Sequence, residues 1–123
     1  MTPPERLRAT VLSICLAVSA ACRESRDPDV PFEPRIAGEP SAELIPEGQR
    51  IFRRKRCANC HKTSGMIPLN GPVLTGVGSR YTTQELEQWI REPWRYRAST
   101  VMPPWDGTDG ELEALIAYLR SLR

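Results

Sequence analysis

A single histidine, His61, stands among the 123 residues, and that scarcity excludes several kinds of site. A structural zinc site takes four ligands, drawn from Cys, His and carboxylate. Beyond Cys22 the chain offers only Cys57, Cys60 and His61 of the first two kinds. Long apolar runs are also missing. The longest, residues 9–21, falls short of the roughly 20 residues that a permanent membrane-spanning helix needs. Aromatic residues make up only 7%, and no stretch alternates apolar and polar residues as a strand would. The absence of strands predicts an all-α fold. A net charge of +2 gives nothing like the basic excess of a nucleic-acid binder, so nucleic acid is excluded as a partner.

Arg6 and Arg8 precede the apolar run, which closes on Ser19-Ala20-Ala21-Cys22. This three-part layout is that of a secretory leader. The segment resembles a bacterial lipoprotein leader in which Cys22 becomes the first mature residue and carries a lipid, although Ser19 stands where leucine is usual. Ordinary cleavage near Ala21, or retention of the leader as an imperfect anchor, are the alternatives. All three export the remainder of the chain, to the periplasm or the outer face of the cytoplasmic membrane. Cys15, inside the run, reads as a small apolar residue. From Arg23 the composition turns to Pro, Glu, Asp and Arg, with Pro28, Pro31, Pro34 and Pro40. The chain therefore divides into a leader over residues 1–22, a proline-rich charged linker over 23–42 and a folded domain over 43–123. In the alternative, the linker wraps back onto the domain through Phe32 and Ile36.

Three main helices are legible in that domain. The first is expected from Pro46 to Arg56, with proline suited to a first turn and Leu44, Gly48, Ile51 and Phe52 gathered on one side. The second starts at Thr82, where Glu85 completes a capping box, turns Leu86, Trp89 and Ile90 inward and stops before Pro93. The third starts at Thr108 with Glu111 as its capping partner, and Leu112, Leu115, Ile116, Leu119 and Leu122 keep the helical period. About 80 residues with so few strong apolar positions make a marginal core. A large buried apolar group would complete it, and without one the chain is expected to be largely unfolded.

Between the first two helices lies Cys57-Ala58-Asn59-Cys60-His61. Two cysteines three apart, followed at once by histidine, form the pattern that attaches haem c covalently. The thiols form thioethers with the haem vinyl groups, and the imidazole becomes the proximal iron ligand. A thioredoxin-like dithiol would instead follow a strand, and here a helix precedes the pair. With no second histidine, the opposite axial position falls to methionine. Met66 follows His61 by only five residues, whereas Met102 has a helix and a loop in which to go round the ring. Met102 is the expected distal ligand.

Residues 48–123 resemble class I cytochromes c, small single-haem electron carriers with Met/His ligation. The strings EGQRIF and LIAYLRSL place Gly48, Phe52 and Tyr118 where that family crosses its first and last helices. Gly71-Pro72-Val73-Leu74, followed by Gly76 and Arg80, resembles the loop whose proline carbonyl orients the histidine ligand, which implies that role for Pro72. WIREPWRYRASTVM keeps the family's spacing to Thr-x-Met. It implies that Thr100 lies by a haem propionate and that Trp89 packs on the Met102 side of the ring. Between Arg80 and Trp89 the chain is shorter than in mitochondrial members, so no propionate contact is carried over to Arg80. The resemblance implies an all-α cytochrome c fold, with loops wrapped around one covalent haem c.

A carrier of this kind moves one electron at a time between a donor and an acceptor protein and makes no bonds on a substrate. It would work as a monomer or as a fixed subunit of a respiratory dehydrogenase or oxidase complex; a sensor or peroxidase would need a labile Met102. From Ser41 onward there are 12 basic and 9 acidic residues. The run Arg53-Arg54-Lys55-Arg56, with Lys62, Arg95 and Arg97 beside the ligand segments, is expected either to face solvent or to steer an acidic redox partner.

Overall fold

The pairing that organises the domain is a crossing of its first and last long helices, made possible by one glycine. In the computed structural model, which describes residues 29–123, α1 (Ile45–Arg54) crosses α5 (Asp109–Ser121). Gly48 sits so close that a Cβ there would lie 1.9 Å from the Ala114 carbonyl oxygen. Ile51, Leu112, Leu115 and Ile116 are sealed around this crossing, and Phe52 meets Tyr118 edge to face at 5.6 Å between centroids. Helix α3 (Thr83–Arg91) adds Leu86 and Ile90 to the same core. Two single-turn helices, α2 (Val77–Arg80) and α4 (Pro93–Tyr96), complete the set, and there is no strand among the described residues. The all-α architecture expected from the sequence is the one observed among the described residues. The two capping boxes are formed as expected: Thr82 with Glu85, and Thr108 with Glu111, each bond backbone N–H groups at the start of their helix.

The first helix is shorter than expected. It ends at Arg54, and Arg56 adopts φ 61°, a left-handed conformation that side chains other than glycine take at a cost. The kink turns the chain directly into a 3-10 turn at Cys57–Asn59. Continued helix would carry the two cysteines past the position they occupy.

The linker expected over residues 23–42 is corrected in its second half. Residues 31–40 belong to the same compact unit as the helices, with the boundary between Val30 and Pro31. Ile36 is 5% exposed and part of the core. The anchor is Glu87, a fully buried carboxylate on α3. It accepts the backbone N–H groups of Arg35 at 3.0 Å and Ile36 at 3.1 Å, and the Arg91 guanidinium at 2.8 Å. Glu39 pairs with Arg120 on α5 at 2.8 Å. A buried peptide N–H at Ile36, a part-buried one at Arg35 and a buried carboxylate satisfy one another, which a solvated tether would not need. Phe32 is half-buried in the same strap. The leader, Cys15, Cys22 and the linker up to residue 28 lie outside the described residues. Among the described residues no helix is long and apolar enough to cross a membrane.

Candidate functional site

The last two residues of the cysteine motif and the residue after them are tied, in register, to the loop that follows. The Cys60 carbonyl accepts the Gly71 N–H at 2.9 Å, His61 Nδ1 meets the Pro72 carbonyl oxygen at 2.8 Å, and the Lys62 carbonyl accepts the Leu74 N–H at 2.7 Å. Pro72 has no N–H of its own, so its carbonyl is what this register offers the ring. A carbonyl can only accept, so Nδ1 carries the proton and Nε2 keeps its lone pair for a metal. Gly71 is required by contact: a Cβ there would stand 2.6 Å from His61 Cε1 and 2.9 Å from Nδ1. The imidazole is thus pinned by a hydrogen bond at one edge and by backbone along its face.

Cys57 and Cys60 are half-buried free thiols on the 3-10 turn, and the Cys57 carbonyl accepts both the Cys60 and His61 N–H groups. Burial pushes the Cys57 thiol above its ordinary value, with the neighbouring Cys60 adding to the effect. Reactive redox cysteines show the opposite shift. Among the described residues no group of three or more His, Cys, Asp or Glu side chains gathers as a metal cage. The donor set fits covalent haem c: two free thiols, one oriented imidazole, and exposed apolar side chains in the flanking loops, Ile67 at 74% and Val101 at 86%.

The two methionines are placed very differently. Met66 is 93% exposed, whereas Met102 is half-buried against the core. The Met102 N–H donates to Thr100 Oγ1 at 3.1 Å, and the Thr100 N–H to the Arg97 carbonyl at 3.0 Å, so Thr100 shapes the turn that presents Met102. Trp89 is half-buried and stacks on Tyr96 at 4.1 Å and 6°, with the Tyr96 hydroxyl donating to Gln88 Oε1. Arg80 donates to the Thr75 carbonyl at 2.7 Å.

The sequence model of the family described as cytochrome c matches residues 45–123, nearly two thirds of the chain. The chain belongs to the cytochrome c family. With that membership the Cys57-Ala58-Asn59-Cys60-His61 motif is the attachment site of a covalent haem c. The cytochrome is 36% identical over 94 residues to cytochrome c oxidase subunit 2 of Alkalihalophilus pseudofirmus, covering 69% of this chain and 28% of that protein. It is 31% identical over 86 residues to the C subunit of nitric oxide reductase from Halomonas halodenitrificans, covering 63% of this chain and 57% of that one. The matched region thus spans about a quarter and somewhat over half of these two relatives. Together the family and the relatives support haem-binding electron transfer.

The basic run of the cytochrome lies at the surface, with Arg53, Arg54 and Arg56 exposed, but two of its four charges are paired. Arg54 pairs with Glu47 and Glu111, and Lys55 with Asp106 at 2.7 Å. Arg95, expected to flank the ligand segments, pairs with Glu92. Arg53, Arg56, Lys62 and Arg97 form no ion pair among the described residues. Half of the run is therefore paired, with Glu47 on the same helix and with Glu111 and Asp106 from far along the chain.

Proposed function

We propose that this cytochrome passes one electron at a time between exported or membrane-bound redox proteins, with His61 and Met102 as its two axial ligands. The observation that carries the reading is the His61 Nδ1 bond to Pro72, which leaves Nε2 available to a metal and adds to its basicity. When bound, the haem supplies one-electron storage, and a neutral thioether opposite the imidazole favours the reduced state relative to a second imidazole. The chain's own residues supply rigidity. Cys57 and Cys60 hold the group covalently, and Gly71 and Pro72 fix the imidazole. Thr100 fixes the backbone of Met102, and its hydroxyl proton would be free to donate to a haem propionate. Ligands held this firmly need little rearrangement when charge arrives, which suits a carrier and not a catalyst.

Arg53, Arg56, Lys62 and Arg97 would steer an acidic partner, so electron transfer slows as salt rises. Export follows from the leader, and a lipid on Cys22 would hold the domain at the outer face of the cytoplasmic membrane. A fixed place in a respiratory complex is the second reading, supported by relatives that are both named as subunits. Purification from detergent-solubilised membranes separates the two: a carrier elutes at its own mass, a subunit with an enzyme.

Ligation is tested by the red-edge absorption band of methionine bound to ferric haem iron. The band is expected in the wild type and absent in Met102→Ala. A wild type that lacks the band and readily binds small anions in the ferric state would make the protein a sensor or peroxidase.

A further inference from the structure

The loop that ends in Met102 is fastened three residues later to the segment that carries the cysteines. Trp105 donates its backbone N–H to the Ile90 carbonyl of α3 at 3.1 Å and its indole N–H to the Thr108 carbonyl at 3.2 Å. Its ring lies under the Lys55 ammonium, 5.2 Å from the centroid, and the same ammonium pairs with Asp106 at 2.7 Å. Gly107 makes room for that ring: a Cβ there would stand 2.5 Å from Trp105 Cζ2. Lys55 caps the C-terminal end of α1, two positions before Cys57. Pro103 and Pro104 lie between Met102 and Trp105, and each fixes its own φ. Two torsions between Trp105 and Met102 are therefore fixed, which reduces how much displacement at Trp105 the loop can absorb.

We propose that Lys55 and Trp105 form a clasp that positions Met102 and limits the opening of its loop. Both are positioning residues, acting on iron ligation only through Met102, and the proposal rests on Met102 being the distal ligand. The clasp joins the two segments that bear the opposite axial ligands. Their separation is set by a cation held between an aromatic face and a carboxylate. An exposed Lys–Asp pair alone would contribute little. The cation on an aromatic face and two backbone-directed hydrogen bonds of Trp105 make the contact cooperative.

The test is the rate at which imidazole displaces methionine in the ferric holoprotein, followed by stopped-flow loss of the methionine–iron band. At saturating imidazole that rate reports loop opening. Lys55→Gln is expected to raise it about tenfold, equivalent to about 1.4 kcal/mol of closure. Trp105→Leu should raise it further, and Trp105→Phe should fall between wild type and Trp105→Leu because it keeps an aromatic face and loses the indole N–H. Lys55→Arg should restore the wild-type rate. Lys55→Gln carries the test if Trp105→Leu does not fold. Rates within twofold of wild type in Lys55→Gln, with the band present, overturn the clasp even if denaturation midpoints fall. A band that survives Met102→Ala overturns the ligand assignment instead, and the clasp with it.

Discussion

Replacing Gly48 by alanine adds one methyl group and should cost as much as a typical core truncation. The new Cβ would lie 1.9 Å from the Ala114 carbonyl oxygen, 2.7 Å from its carbon and 2.8 Å from Tyr118 Cβ. The first two of these atoms are backbone of α5, so no side chain can rotate away. Ordinary contact begins near 3.4 Å, so α1 and α5 must part by roughly 1.5 Å along that line. A gap of 0.5–1 Å already forfeits about a quarter to a half of each dispersion contact. The contacts at risk belong to Ile51, Leu112 and Leu115, all at most 2% exposed, and to the Phe52–Tyr118 pair. Overpacking ordinarily costs about 1–3 kcal/mol. This crossing belongs above that range, and the helical preference of alanine over glycine returns at most about 1 kcal/mol. The expected net loss is about 3 kcal/mol, or roughly 12–24 °C in melting temperature for a domain of this size.

Equilibrium denaturation of the ferric holoprotein, followed by far-ultraviolet circular dichroism, measures the loss cleanly because thioether-bound haem stays with the unfolded chain. Gly110→Ala is the control, since a Cβ in that first turn of α5 meets nothing within 4 Å. It should stabilise by about 0.4–1 kcal/mol. A loss below about 1 kcal/mol in Gly48→Ala, or a shift of the same sign in both variants, would refute the crossing as the cause.

Glu87→Ala should free the strap at 31–40 and cost about 3 kcal/mol, the low end for breaking a buried ion pair, because Arg91 retains Asp109. Trypsin would then cut after Arg35, and a bond that stays protected in the variant contradicts the anchor. Stability should fall on acidification. Glu39 is held below the ordinary carboxylate range by Arg120, Asp106 by Lys55, Asp109 by Arg91, and Glu85 and Glu111 by the backbone N–H groups of Thr82 and Thr108. A depressed folded value contributes stability that is complete above the unfolded value of about 4 and is lost as pH drops through the lower folded one. A denaturation midpoint that does not change between about pH 5 and 3 would count against these contacts. Replacing Cys57 and Cys60 together should abolish haem that survives a denaturing gel; retained haem staining would place the attachment elsewhere.

Local chemistry made much of this legible. The capping boxes at Thr82 and Thr108, the period of Leu112 to Leu122, and the Pro72 carbonyl at His61 all depend on short spacings or on a loop that the family shares. What the sequence hid depends on distance. The Arg35 and Ile36 N–H groups find Glu87 some 50 residues away, and Glu39 finds Arg120 81 residues away. A proline-rich acidic stretch looks like a tether until the buried carboxylate it docks on is known. The run Arg53-Arg54-Lys55-Arg56 looks like a patch until Glu111 and Asp106 arrive from the far end of the chain. Arg56 gives no hint of its left-handed turn, since arginine has no preference for it, and single-turn helices such as α2 and α4 leave too short a period to read.

The strap also decides where a mechanical pull would be felt. Tension along the chain ahead of residue 31 reaches the peptide groups at Arg35 and Ile36 first, and they pass it to Glu87 on α3; the Glu39–Arg120 pair then takes a share on α5. Only after both yield would force arrive at Ile45 and the crossing behind Cys57. A protein tugged by whatever holds its N-terminal side would thus give way at a strap that can dock again, while the geometry around His61 stays undisturbed.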